Sequence, residues 1–280
     1  MTRLISGRTR LIAHLGVPTE SFKAPMIYNP YFADRDIDVT VMPMGVTAED
    51  FAAFLPLLFR LTNIAGALIT MPHKVSVVDL LDEASTTVKV CGSCNAVKRA
   101  ADGRLVGDMF DGEGFVRGVL AKGCTIAGAS AFVCGSGGVG SAIAASLAKA
   151  GAARIALYDA RGAAAERLAA SLSAHYPGLA VATGANDPAG HDIVVNATPL
   201  GMAEGDPLPM DLSAVTAATF VGEVVMKAEE TPFLKTAREK GCMTQIGTDM
   251  LFEQIPAYLE FFDLPSTTPD ALRRLAKIKY

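Results

Sequence analysis

Short apolar runs alternate with amphipathic ones through the first hundred residues: "RLIAHLG", "PMIYNPYFA", "IDVTVMPM", "AEDFAAFLPLLFRL", "IAGALITM" and "KVSVVDLLDEA". That rhythm predicts strands and helices in alternation, and strands joined through helices lie parallel. Thr47 can cap the helix that begins at Ala48, with Glu49 and Asp50 suited to its positive end. In "CNAVKRAADGRLVGDMFDG" two short runs flank Ala101, Asp102 and Gly103, a turn signal that predicts an antiparallel hairpin. Five further strands follow, in "ASAFVCG", "RIALYDA", "LAVATG", "HDIVVNA" and "ATFVGEVV", with alanine-rich helices between several of them. The stretches "TDMLFEQIPAYLEFF" and "TPDALRRLAKIKY" read as helices, with Thr268 and Pro269 as a start signal and Pro256 expected to kink the first. The pattern predicts an α/β protein with a boundary near residue 115.

Composition narrows the class of protein. Half of the 280 residues are apolar and 19% are charged, enough apolar area for a sizeable core. A formal charge of -4 gives no broad attraction for nucleic acid or anionic lipid. No apolar run reaches the length of a membrane span, and the N-terminus lacks the apolar core of a signal peptide, so a cytoplasmic location is expected. Five cysteines, an odd and low number, suit reduced thiols rather than a disulfide framework. Neither nucleic acid nor membrane is an expected partner, and a homodimer is compatible with the chain.

The most informative segment is "ASAFVCGSGGVGSAIAASLAKAGAARIALYDA". Gly135, Gly137 and Gly140 form G-x-G-x-x-G between a predicted strand and a predicted helix. Glycines at this spacing permit the tight turn, the approach of a pyrophosphate and the packing of helix on strand. Ser136, Gly138 and Val139 complete the loop, and amides at the helix start can hold the anion. Asp159 ends the next strand, 19 positions after Gly140, where a carboxylate accepts from ribose hydroxyls and repels a 2′-phosphate. This favours NAD over NADP, although Arg161 could swing toward a phosphate.

A second candidate site begins in "LITMPHK", where a buried-looking strand delivers Thr70 and then Lys74. In parallel sheets ligands sit beyond the carboxyl ends of strands, so these side chains are placed for binding. Oxidising an alcohol by hydride transfer needs a base for its proton, and a lysine can serve if its neutral form is accessible. Asp111, in "GDMFDG", could orient that lysine, and Asn95 lies in "GSCNAV".

Taken in order, "TMPHK", "GSCNAV", "GDMFDG", "GSGGVG", "VVNATPLGM", "ETPFL" and "GTDMLFEQ" resemble the successive motifs of the shikimate dehydrogenase family, including its quinate/shikimate branch. The resemblance implies a substrate domain at 1–115, a Rossmann cofactor domain at 116–245, and C-terminal helices at 246–280 that pack back on the substrate domain. It implies Lys74 and Asp111 as the catalytic pair, with Thr70, Asn95 and Gln254 on substrate hydroxyls. It further implies Asn196, Thr198 and Pro199 along the cofactor, and Val224 and Gly247 near the nicotinamide. The chain departs from the family's pattern in "FKAP", where Phe22 and Ala24 replace two hydroxyl residues that hold the substrate carboxylate. Met226 stands for a tyrosine and Leu68 for an asparagine. Thr19, Ser21 or Lys23 could take over the carboxylate, and the pocket reads as less polar.

The leading reading is an NAD-dependent dehydrogenase of a shikimate- or quinate-like cyclic hydroxy acid. Its alternatives are an NADP-dependent shikimate dehydrogenase of aromatic amino-acid biosynthesis and a dinucleotide-binding sensor without catalysis. "CGSC" has the C-x-x-C spacing of redox or zinc sites but no second half, so buried thiols and no metal are expected. His73 is expected at the surface or lining the cleft, and His14, His175 and His191 belong to no constellation.

Overall fold

A computed structural model describes residues 4–226 and 230–278. The chain begins with β1 (Arg10–Leu15), α1 (Pro25–Asp34), β2 (Val39–Met44), α2 (Ala48–Leu58) and β3 (Ile64–Ile69). Then come β4 (Glu83–Ala84), α3 (Thr86–Cys91), β5 (Ala96–Arg99) and β6 (Leu105–Asp108). After α4 (Asp111–Ala121) the chain forms β7 (Ser130–Cys134), α5 (Gly138–Lys149), β8 (Arg154–Tyr158), α6 (Gly162–His175) and β9 (Ala180–Thr183). It continues through β10 (Ile193–Asn196), β11 (Phe220–Glu223), α7 (Pro232–Glu239), β12 (Met243–Gln245) and α8 (Gly247–Glu253), and closes with α9 (Ile255–Phe261) and α10 (Pro269–Leu275).

Two compact units result, one of the residues up to Phe110 with those from Ile255 onward, the other Asp111–Gln254. The divisions fall at Asp111 and Ile255 rather than at 115 and 246, because α4 packs on α5 and α8 packs on α4.

The first unit holds a six-stranded mixed sheet in the order β2-β1-β3-β5-β6-β4. Its β1, β2 and β3 are parallel, whereas β5 and β6 form the antiparallel hairpin that the turn residues predict. Chain order reverses at β1, with β2 on one side and β3 on the other, so their carboxyl ends frame a crevice. Thr47 caps α2 as expected, its hydroxyl accepting the Asp50 amide at 3.3 Å. The C-terminal segment is tied to α1 by the Tyr31 hydroxyl, which donates to the Pro265 carbonyl at 2.8 Å, and Thr268 caps α10.

The second unit is a six-stranded parallel sheet, β12-β11-β10-β7-β8-β9, the doubly wound Rossmann order. Phe132, Val194, Val221, Phe233 and Leu234 fill its core on one face.

Three expectations are corrected. "KVSVVDLLDEA" forms a single 3-10 turn over Ser76–Leu80 and then β4, because the Asp82 amide bonds the Leu105 carbonyl and draws the chain beside β6. The terminal helix breaks at Gln254 rather than kinking, since Pro256 sits in the first turn of α9, where its missing amide costs nothing. His73 is buried, stacked on Phe51 at 4.0 Å with its Nε2 against the Val46 carbonyl at 2.9 Å.

Candidate active site

In the first unit Thr70 and Asn95 stand at the carboxyl ends of β1 and β3, the Asn95 carbonyl accepting the Ile69 amide at 2.9 Å. Thr70 follows β3 directly, and its amide bonds the Leu15 carbonyl of β1 at 2.9 Å. The Lys74 carbonyl accepts the Cys94 amide at 2.8 Å, which fixes the lysine's backbone beside the start of β5. Asn95 is 1% exposed, and its side-chain oxygen accepts the Phe110 amide at 2.9 Å. Phe22, on the loop before α1, stacks on His14 at 4.0 Å between ring centres. A Cβ at Gly16 would lie 3.2 Å from the Phe22 ring and 2.5 Å from the Thr70 methyl, so glycine alone permits this close approach. Ser21 is exposed and its hydroxyl donates to the Pro18 carbonyl at 2.9 Å. Lys23 is half-buried.

In the second unit the glycine loop runs from β7 into α5 at the point where strand order reverses between β7 and β10. Gly135 has φ +104°, a conformation few other residues adopt, and a Cβ at Gly140 would lie 1.9 Å from the Gly135 carbonyl oxygen. Gly137 faces open space where a side chain would stand, and the Ser136 hydroxyl is buried with no partner among the described residues. Gly137, Gly138 and Val139 line a cavity of about 530 Å³ with Ala197, Thr198, Pro199, Met202 and Val224 to Met226. The Asn196 side chain holds the turn that carries the lining residues Thr198 and Pro199, accepting the Thr198 amide at 3.0 Å and donating to the Leu200 carbonyl at 3.0 Å. Gly247 lies against the backbone of Val224 and Val225, and Gln254, capping α8, has a buried side-chain oxygen with no partner among the described residues. Asp111 is buried at the start of α4.

Asp159 directly follows β8, beside the loop. Its Oδ2 accepts the Ser136 amide at 2.8 Å, and its Oδ1 accepts the Arg161 amide at 2.8 Å and faces the guanidinium at 3.4 Å. Burial works against its charge, but these amides and the Arg161 guanidinium more than offset that, so its pKa lies below the ordinary carboxylate value. Oδ1 carries both Arg161 donors, whereas Oδ2 retains an acceptor position for a ribose hydroxyl. A bare turn over a helix start, an orphaned hydroxyl, a cavity and an ionised acid fit a dinucleotide.

Two residues escaped the sequence reading. His14 lies at the carboxyl end of β1, the same edge that singled out Thr70, and that position was the signal available. Glu223 ends β11 fully buried, its Oε2 accepting the Thr231 hydroxyl at 2.9 Å. Of the "CGSC" pair, Cys94 is buried and burial pushes its thiol up to about 12, so it carries little thiolate near neutral pH. Among the described residues no group of three or more His, Cys, Asp or Glu could hold a metal, and no helix is long and apolar enough to cross a membrane.

The chain is similar to known proteins over most of its length. The family described as shikimate dehydrogenase substrate binding domain matches residues 15–97. A curated relative, shikimate dehydrogenase (NADP(+)) of Acidiphilium cryptum, is 32% identical over 97% of both chains. The crystal structure of shikimate 5-dehydrogenase from Listeria monocytogenes with shikimate and NAD superposes with a TM-score of 0.91, at 26% identity over 98% of this chain and 99% of that one. Ligand-free 5-ketofructose reductase of a Gluconobacter strain gives a TM-score of 0.89, at 26% identity over 96% and 98%. The chain therefore belongs to the shikimate dehydrogenase family of NAD(P)-dependent oxidoreductases acting on a CH–OH group.

Proposed function

We propose that the chain interconverts a secondary alcohol and a ketone on a compact polyhydroxylated substrate. Substrate binds in the first unit and the dinucleotide in the second. The observation that carries this reading is the glycine loop with its ionised Asp159 at the strand-order reversal of a parallel sheet. When bound, the nicotinamide supplies the hydride acceptor or donor. Lys74 takes the hydroxyl proton as the carbon loses hydride and returns it in the reverse direction, so the proton and the electron pair both have a destination. Asp111 orients that amine and balances its charge. Thr70, Asn95 and Gln254 bind the neighbouring hydroxyls, and Ser21 and Lys23 belong to the substrate loop. Shikimate and 5-ketofructose, for which relatives are named, both carry a secondary hydroxyl or ketone among other hydroxyls.

NAD is the proposed cofactor, because an ionised Asp159 accepts from ribose hydroxyls and repels a 2′-phosphate. A second reading, NADP, is favoured by the exposed Arg161 guanidinium and by the names of curated relatives. A cytoplasmic location remains part of the proposal. The test is the initial rate of nicotinamide reduction with both dinucleotides over a panel of cyclic and open-chain polyols. Saturable turnover with NAD favoured supports the reading. Tight dinucleotide binding without turnover of any polyol returns the chain to a sensor.

A further inference from the structure

His14 and Phe22 have no part in the chemistry assigned above, yet the Phe22 ring and the Thr70 methyl close on the same point beside Gly16, and His14 stacks on Phe22. The imidazole is 8% exposed and stacks on Phe22 with 28° between the ring planes. Its Nδ1 is buried with no partner among the described residues. An N–H buried there would lose its full hydration, so the proton belongs on Nε2, which leaves the ring as a hydrogen-bond donor. Burial, with the Lys74 ammonium as the lesser cause, pushes the pKa of His14 down to about 4, so that donor is uncharged at neutral pH. The loop that closes this edge brings an aromatic face at Phe22 and a methyl at Ala24. The Ser21 hydroxyl is spent on the Pro18 carbonyl. A hydroxyl or carbonyl oxygen is matched by one neutral N–H over an aromatic ring. A carboxylate placed there gives up its water without a compensating charge from either ring.

We propose that His14 is a specificity-determining hydrogen-bond donor, and that this edge of the first sheet takes an uncharged polyhydroxy ketone or alcohol in place of a hydroxy acid. This rests on the dehydrogenase reading above and names its substrate class. Lys23 is the cation of the same loop, and the competing reading gives it the carboxylate of an acid.

The experiment compares kcat/KM of the full chain for oxidation of two uncharged probes, fructose and myo-inositol, with that for oxidation of shikimate and quinate, each with its better oxidised dinucleotide. The wild type should favour its better uncharged probe by about tenfold or more, the worth of one charged hydrogen bond left unmade. His14→Leu should lower kcat/KM for that probe about tenfold, mainly through KM, and His14→Gln, which keeps a neutral donor, should restore most of it. Phe22→Ser combined with Ala24→Ser should raise kcat/KM for the acids about tenfold. Preference for an acid that Lys23→Met abolishes overturns the inference while leaving the dehydrogenase intact. So does a preference ratio that His14→Leu leaves unchanged. Dinucleotide binding with no turnover of either class overturns both. Should His14→Leu fail to fold, the wild-type ratio and the Phe22/Ala24 variant still decide.

Discussion

Replacing Glu223 by glutamine should remove a large part of the pH dependence of stability around neutrality. Glu223 is fully buried at the end of β11, with one oxygen on the Thr231 hydroxyl and the other without a partner among the described residues. Burial, opposed by Thr231, by the Asn196 side chain and by the more distant Arg238, pushes its pKa from an ordinary 4.5 up to about 7. A carboxyl with a raised folded-state pKa contributes stability that is complete below its unfolded value and is lost as the pH rises through the folded one. At about 1.4 kcal/mol per tenfold change in proton affinity, the interval corresponds to roughly 3 kcal/mol, of which ~2 to 3 kcal/mol is lost between about pH 5 and about pH 8. Glutamine keeps an acceptor for Thr231 and does not titrate. Urea unfolding followed by far-ultraviolet circular dichroism suits a chain without tryptophan. The wild type should lose stability relative to Glu223→Gln across that range, with every other titrating group cancelling in the comparison. Parallel pH profiles, or a wild type that gains on the variant as the pH rises, would refute the buried-acid argument.

Three further expectations follow from single contacts. Gly140→Ala drives a methyl into the Gly135 carbonyl and should weaken dinucleotide binding at least tenfold by calorimetry, with the first unit's circular dichroism signature retained. Asp159→Ser removes the charge that repels a 2′-phosphate and should shift the NADP-to-NAD ratio of kcat/KM upward by about tenfold or more; an unchanged ratio would take Asp159 out of cofactor choice. Tyr31→Phe deletes the hydroxyl that holds the Pro265 carbonyl and should cost about 1 kcal/mol in urea unfolding of the first unit.

What could be read in advance was local. The glycine loop, the Asp159 that follows it, and the Thr47 and Thr268 caps are each specified within one strand–turn–helix or one helix start, so spacing sufficed. The short β4, the edge strand β12 and the one-and-a-half-turn α3 were not legible. The first two exist only because β6 and β11 offer them hydrogen bonds from distant parts of the chain. His73 was expected at the surface or lining the cleft, but its ring is claimed by Phe51 from α2, a contact that sequence proximity does not predict. His14 and Glu223 gained meaning only when Phe22 and Thr231 arrived from other elements. The roles of Lys74 and Asp111 rest on their motifs and on the need of the chemistry for a base.

The central claim is that Lys74 handles the proton of a hydride-transfer reaction. The direct measurement is the rate of nicotinamide reduction in a single turnover for wild type and Lys74→Ala, with dinucleotide affinity measured on the same samples. The account predicts a fall of about a hundredfold or more in the hydride-transfer rate with dinucleotide affinity unchanged. Equal single-turnover rates in the two proteins would contradict it.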